Sequence, residues 1–429
     1  MPSNAYSIIA ATCHGNRGAE AMLETVVGRL REAQPDLRFH VFTYYPEADR
    51  QLVQDPALTL HSSTPMALVA WLLPWSLVFG LLRLVFGRRV LRMAPAAVRG
   101  LGESRALVDL AGVAFIDGRE KFLPFNVLTL LPAWLLGTPV VKMPQAVGPF
   151  ERPLNRLAAR VVLPMCAMIW ARGGRTREHL EQAAFPGVRF IQADDIAFNH
   201  KNGYSLTQEE GGALDARFAA LASARGVSGV TGVVGLCPSS VVAVKARKEG
   251  GAYEDILARL VADLSGSGYL VVLFPNATRD AAGEAERNND LPLIRRILAA
   301  AGTSLPVTPL AFDLDMNAAA IKRLIAEMDV VLVSRFHAMV GALALGVPAA
   351  VLGWSHKYAE VMARFGLEGN VMDYKQLSGP ALRERVDAIF QSRQAMRAQI
   401  LERLPEVKAS AERPVVALLE PGFGSGGLA

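Results

Sequence analysis

Short apolar runs recur along the chain. Each is stopped by a polar or glycine-bearing break and followed by a longer stretch of helical periodicity. Tyr6–Thr12, Phe39–Thr43, Ala106–Leu110, Pro139–Met143, Met168–Ala171 and Val188–Gln192 read as buried strands. The rhythm pauses over residues 199–229, which are polar and then alanine-rich. It restarts with strands at Gly232–Leu236, Tyr269–Phe274, Val307–Leu310, Val330–Val333 and Ala349–Leu352. Strands alternating with helices, twice over, predict an α/β protein of two doubly wound Rossmann-like domains facing across a cleft. The expected boundaries are 1–200 for the N-terminal domain, taken as the acceptor side, and 201–229 for a junction. Residues 230–390 are read as a donor-binding domain, and 391–429 as C-terminal helices, broken near Pro405, with a frayed glycine-rich tail.

The stretch Asp329–Glu360 is the most informative. A buried strand breaks at Ser334-Arg335-Phe336-His337 and a helix of small residues follows. Gly346 and Pro348 end that helix, and the next strand leads into Gly353-Trp354-Ser355-His356-Lys357. Ligands of open parallel sheets bind outside the carboxyl ends of the strands. Arg335 and His337 at a helix N-terminus, with Lys357 after the next strand, suit a small anion.

One segment departs from the α/β rhythm. Residues 65–82 are uncharged and apolar, and Arg83, Arg88, Arg89, Arg92 and Arg99 follow. This segment reads as a membrane span, as a buried helix pair broken at Pro74, or as a helix lying in a lipid interface with arginines on phosphates. Trp71 and Trp75 favour the interface, so 65–99 is expected to meet an anionic membrane surface.

With 429 residues, 51% of them hydrophobic, the chain has ample material for two cores. A net charge of +5 spread along the chain argues against nucleic acid as a partner. Three isolated cysteines give neither a disulfide framework nor a zinc pattern. The N-terminus has no signal-peptide pattern, so the cytoplasm, at the inner face of the cell membrane, is the expected location.

Other strand ends carry candidates. The loop Cys13–Glu20 joins the first strand to a helix and offers Asn16 and Glu20. Asp117 follows the third strand, Gln145 the fourth, Arg172 the fifth and Asp195 the sixth. In the second half, Asn276 lies past its second strand. Gln145 reads as a hydroxyl contact, and the carboxylates as bases for a hydroxyl or as turn caps. Asn276, Asn288 and Asp290 read as sugar contacts or loop-ordering groups. Asp313-Leu314-Asp315 reads as a helix cap rather than a metal site, and no cofactor or metal is expected.

Taken together, Ser334–Ala338, Gly346–Met362, Pro144–Phe150, Ala171-Arg172, Ala193–Asp195 and Gly15–Gly18 resemble the polysaccharide pyruvyl transferase family. The blocks run in the family's order from Asn16 to about Asp373. Two places depart from the family pattern: Gly18-Ala19-Glu20 displaces an acid by one position, and Pro275-Asn276 stands where many members have Pro-His. The resemblance implies a fold like that of B-type glycosyltransferases. It also implies transfer of the pyruvyl group of phosphoenolpyruvate to a sugar of a cell-surface polysaccharide or its lipid-linked precursor, giving a pyruvate ketal and phosphate.

Phosphoenolpyruvate carries a carboxylate and a phosphate on a compact skeleton. Arg172, Arg335 and Lys357 answer that charge, and His337 either delivers the proton to the methylene carbon or binds phosphate. Arg335 and His337 are therefore the catalytic candidates. Asn16, Glu20, Asp117, Gln145, Asp195 and Asn276 are the acceptor-binding candidates. Two other functions fit the same pattern: a B-type glycosyltransferase using a nucleotide sugar, and a non-catalytic membrane-associated glycan-binding or assembly protein.

Overall fold

The computed structural model describes residues 4–208, 211–279, 286, 288–353 and 355–420. The chain divides into two compact units. One comprises Met1–Cys13, Met22–Ile196 and Ala409–Ala429; the other comprises His14–Ala21 and Ala197–Lys408.

Among its described residues the first unit holds a parallel sheet: β1 (Ala5–Ile9), β2 (Arg38–Thr43), β3 (Leu58–Ser62), β4 (Leu107–Asp109), β5 (Val140–Gln145), β6 (Met168–Arg172) and β7 (Phe190–Ala193), in the order β3-β2-β1-β4-β5-β6-β7. Parallel strands need crossover helices, so apolar side chains are covered on both faces. On one face Ile9, Phe42, Leu107, Val140 and Ile169 pack against helices Pro65–Phe86, Ala96–Glu103, Leu131–Leu136, Pro153–Val162 and Gly174–Ala183.

The second unit repeats the plan with β8 (Gly232–Cys237), β9 (Tyr269–Leu273), β10 (Leu310–Ala311), β11 (Val330–Val333), β12 (Ala349–Gly353) and β13 (Val371–Asp373). Their order is β10-β9-β8-β11-β12-β13, again parallel. Val234, Leu236, Val271, Val330, Leu332 and Leu352 form one side of its core, under helices such as Tyr253–Gly266, Leu291–Ala301 and Gly379–Gln391. The strand order turns back on itself between β1 and β4 in one sheet and between β8 and β11 in the other. The carboxyl ends of those pairs are the places where such sheets bind ligands.

Two edge strands escaped the sequence pattern, β3 and β13. An edge strand is short and covered on fewer sides, so its apolar signal is weak. The expected strand at Val307–Leu310 is displaced to Leu310–Ala311. The break expected near Pro405 is absent: Arg393–Leu419 is one helix. A proline costs that helix one backbone hydrogen bond, while Ile400, Leu404, Val407, Ala411 and Val415 are all buried along it. The division also differs from the expected boundaries. Residues 14–21 belong with the second unit and 409–420 with the first, because compactness follows spatial contact rather than sequence order. The glycine-rich tail lies outside the described residues.

The apolar segment forms one helical run, Pro65–Phe86, not a broken pair. Thr64 caps its start, and a π-turn at Leu68–Leu72 precedes Pro74, whose ring could not sit in an unperturbed α-turn without displacing a carbonyl. Only a stripe of it is buried: Leu68, Leu72, Ser76, Phe79 and Gly80. At Gly80 an added Cβ would stand 2.5 Å from the Leu135 carbonyl oxygen, so only glycine allows this approach. Arg83 bonds the Leu136 carbonyl at the end of the neighbouring helix. The buried-pair reading is thereby overturned, because most of the helix circumference faces outward.

Candidate functional site

In the second unit the site is built around a carboxylate. Asp290 is fully buried at the start of helix Leu291–Ala301. Its Oδ1 accepts the Ser240 amide at 2.9 Å, and its Oδ2 accepts the amides of Asn276 at 3.2 Å and Ala277 at 3.0 Å. Arg335 completes the set with a forked contact, Nε on Oδ2 at 3.0 Å and Nη2 on Oδ1; Nη2 also donates to Ser240 Oγ at 3.0 Å. One carboxylate therefore ties together the loops after β8, β9 and β11, at the switch point of the sheet. Burial disfavours the Arg335 charge, but the Asp290 carboxylate more than restores it, and the guanidinium is held more firmly protonated than usual. Asp290 occupies Nε and Nη2, so an anion met by Arg335 would meet Nη1.

Below Arg335 the loop is held by a second layer. Tyr253 Oη and Ser334 Oγ lie 2.7 Å apart, the Ser239 amide donates to Tyr253 Oη at 3.2 Å, and Tyr358 Oη donates to the Ser334 carbonyl at 3.1 Å. Helix Phe336–Ala344 starts directly after Arg335, which places His337 in its first turn. Lys357 Nζ stands 4.6 Å from the Phe336 ring centroid and 5.4 Å from that of Tyr358, a cation over two aromatic faces.

His337 faces the N-terminal segment. A Cβ added to Gly18 would lie 1.9 Å from His337 Nδ1, so the glycine is what admits the imidazole. Arg17 beside it is buried, and its Nη1 donates to Glu20 at 2.7 Å. Its Nη2 donates to Thr278 Oγ1 at 3.0 Å and pairs with Asp315. Burial opposes its charge, while Glu20 and then Asp315 outweigh that cost and raise its pKa. Glu20 also accepts the Thr207 hydroxyl at 3.1 Å and the Ala318 amide at 3.1 Å, where helix Ala318–Ala326 begins.

A cavity of about 30 Å³ is lined by Arg17, His200, Asn276, Lys322 and His337, with apolar residues of helices Ala318–Ala326 and Phe336–Ala344 closing it. It has room for about two waters. Lys322 donates to the His200 carbonyl, and burial followed by the nearby Lys408 lowers its pKa to about 8. Arg17 and Lys322 thus bring two basic side chains to the lining, Arg17 already paired with Glu20 and Asp315.

The first unit holds the remaining candidates. Arg172, at the end of β6, donates from Nη1 to Asp195 at 2.7 Å and from Nη2 to the Gly112 carbonyl at 2.9 Å. Both side chains are buried, so Arg172 clamps three strand-end loops. Gln145 is fully buried at the end of β5; its Nε2 donates to the Met143 carbonyl at 3.3 Å, and its Oε1 has no hydrogen-bond partner among the described residues.

Of the sequence candidates, Asn16, Glu20, Asn276, Arg335, His337 and Lys357 fall in the second unit, and Asp117, Gln145, Arg172 and Asp195 in the first. Asn276 and His337 meet at the cavity, and Arg335 joins the Asn276 backbone through Asp290. Four acceptor candidates make structural contacts. Asn16 Oδ1 accepts the Ala19 amide and caps helix Arg17–Ala33. Glu20 positions Arg17. Asp195 neutralises Arg172. Asp117 accepts the amides of Glu151 at 2.7 Å and Arg152 at 3.3 Å, with Asn155 Nδ2 at 2.5 Å, and so orders the chain as it enters helix Pro153–Val162. These carboxylates are surrounded by donors, which leaves them poorly placed to take a hydroxyl proton. Asp315 also departs from expectation: it pairs with Arg17, and Asn317 caps the helix, accepting the Ala320 amide at 2.8 Å. Arg17, His200, Lys322 and the central place of Asp290 were missed. Only Gly18, next to Arg17, hinted in the sequence at a close approach.

Two parallel, doubly wound α/β units with cations at their strand ends define a B-type glycosyltransferase fold. Solved structures agree on this fold: a UDP-forming α,α-trehalose-phosphate synthase from Burkholderia vietnamiensis (TM-score 0.56, 13% identity, 98% of this chain and 99% of that one) and a UDP-GlcNAc 2-epimerase from Neisseria meningitidis (TM-score 0.54, 11% identity, 97% and 100%). At those identities the likeness concerns fold alone. The sequence profile of the polysaccharide pyruvyl transferases matches residues 16–356, and the chain belongs to that family. A relative, the amylovoran biosynthesis protein AmsJ of Erwinia amylovora, is 21% identical over 418 residues, covering 91% of this chain and 92% of its own. The family and this relative support a pyruvyltransferase role in exopolysaccharide biosynthesis.

Proposed function

We propose that the protein transfers the pyruvyl group of phosphoenolpyruvate to two hydroxyls of one sugar, in a cell-surface polysaccharide or its lipid-linked precursor. What supports this reading is membership of the family, together with the grouping of Arg17, Lys322 and His337 in one unit around the start of the helix that follows Arg335. Proton delivery to the methylene carbon leaves the adjacent carbon cationic, and one sugar hydroxyl attacks it, losing its proton. The second hydroxyl then displaces phosphate at the same carbon, forming the ketal; its proton leaves with the phosphate. His337 is the proton donor or a phosphate contact, and Arg335, held by Asp290, presents a fixed positive charge. Within the second unit Lys357 completes the expected donor contacts, and the sugar is expected to meet Asn276, whose amide suits hydroxyls. The reaction needs no cofactor beyond the co-substrate. We place it in the cytoplasm, at the inner face of the cell membrane, where a lipid-linked glycan is presented.

The test is purified protein with phosphoenolpyruvate and candidate glycans. Phosphate release matched by a ketal-sized mass gain on the glycan supports the reading. Arg335→Ala should reduce release by at least about 100-fold, the scale for losing a charged transition-state contact. Full activity in that variant would remove Arg335 from the donor site. Thermal stabilisation by a nucleoside diphosphate but not by phosphoenolpyruvate would overturn the reaction in favour of a nucleotide-sugar glycosyltransferase.

A further inference from the structure

We propose that the helix layer on one side of the first sheet docks on an anionic lipid surface, and that two helices form this face: Pro65–Phe86 and, unexpectedly, Pro153–Val162. The inference extends the membrane location proposed above and does not depend on the pyruvyl chemistry.

Helix Pro65–Phe86 is strongly apolar, yet little of it is buried. Met66, Leu81, Leu84, Val85 and Phe86 are all more than half exposed, and the exposed Trp71 and Trp75 rings pack edge to face at 5.7 Å. The open apolar surface of this helix is on the order of 1,000 Å², well above the largest patch of an ordinary monomer. Helix Pro153–Val162 shows the same inversion. Asn155, Ala159 and Val162 point inward, while Leu154, Leu157 and Val161 are 61%, 60% and 57% exposed. Both helices cover the same side of the sheet. They are linked laterally: Leu131–Leu136 packs on the first and on Leu123–Leu128, which packs on the second.

The charge selects the occupant. Residues 65–102 and 152–177 contain no acid. Arg88, Arg89, Arg92 and Arg99 near the first helix and Arg152, Arg156 and Arg160 at the second are exposed. Apolar rows bordered by arginines match acyl chains bordered by lipid phosphates. A second copy of this face would set arginines against arginines. A membrane span is ruled out for the folded unit, because the helix joins β3 at one end, leads back to β4 at the other and is anchored by its buried stripe.

The test is flotation of the full-length protein with phosphatidylcholine vesicles, with and without phosphatidylglycerol. Wild type should bind the anionic vesicles at least about tenfold more tightly and lose this preference at high salt. Leu157→Glu/Val161→Glu should weaken binding at least about tenfold with an unchanged thermal midpoint, as should Leu81→Glu/Leu84→Glu. Arg156→Gln/Arg160→Gln, which leaves the apolar row intact, should weaken only the anionic preference, by about fivefold per arginine. Wild-type binding by the Leu157/Val161 and Arg156/Arg160 variants would remove the second helix from the face. Failure to float, with concentration-dependent dimers broken by the same substitutions, would overturn the lipid in favour of a second copy. Phosphate release on a water-soluble acceptor, read separately, keeps this outcome apart from the fate of the reaction.

Discussion

Gly18→Ala separates the geometry of the site from the stability of the fold. The added Cβ would stand 1.9 Å from His337 Nδ1 and 2.4 Å from Cγ, where ordinary contact begins at 3.4 Å; the ring must therefore retreat by about 1.5 Å (3.4 − 1.9). Gly18 lies in helix Arg17–Ala33 without a left-handed backbone, so alanine brings a propensity gain of at most about 1 kcal/mol. Pushing His337 off its rotamer costs about 0.5–1.5 kcal/mol. The two nearly cancel, and the urea midpoint should move by less than the equivalent of about 1 kcal/mol. Catalysis has no such compensation: a misplacement of about 1 Å costs on the order of 100-fold. Phosphate release from phosphoenolpyruvate, measured beside urea unfolding, should fall by about that factor while stability holds. The double variant Gly18→Ala/His337→Ala should be no slower than His337→Ala alone, since truncation removes the clash. Wild-type turnover in Gly18→Ala would refute the assignment of His337 to the reaction, and a large loss of stability would show that the backbone, not the ring, gives way.

Two further outcomes follow from buried charge. Asp290→Asn leaves Arg335 without a counter-charge and turns an amide NH2 toward backbone donors; the second unit should lose about 3–5 kcal/mol by chemical denaturation, and a loss under about 1 kcal/mol would contradict the hub. His61 is buried on β3, with Nε2 3.2 Å from His40 Nδ1; burial, then His40 and Arg50, lower its pKa to about 4. The unfolded chain binds the proton more readily between pH 6.5 and 4, so stability falls as pH drops through that window, by up to about 3 kcal/mol at its lower end. His61→Phe should flatten the pH dependence of unfolding there; an unchanged slope would place the acid sensitivity elsewhere.

The repeating strand–helix grammar was legible in the sequence, because strands buried on both faces must be continuously apolar. The sequence also located Arg335, His337, Arg172 and Gln145 at strand ends, because turn chemistry punctuates those ends. The edge strands β3 and β13 were not legible, since their neighbours rather than their own composition make them strands. Pro405 misled because a local preference was outweighed by the burial of the helix that contains it. Which partners surround a charged residue becomes visible only in the folded chain. Asp117, Glu20 and Asp195 look alike in sequence, yet each is surrounded by donors brought from elsewhere in the chain. Arg17 and Lys322 come to line one cavity only when segments about 300 residues apart are folded together. The same holds for the two outward apolar helices: hydrophobicity was visible in the first, but which side of it faces solvent, and that Leu154, Leu157 and Val161 share that exposure, depends on what the sheet has already covered.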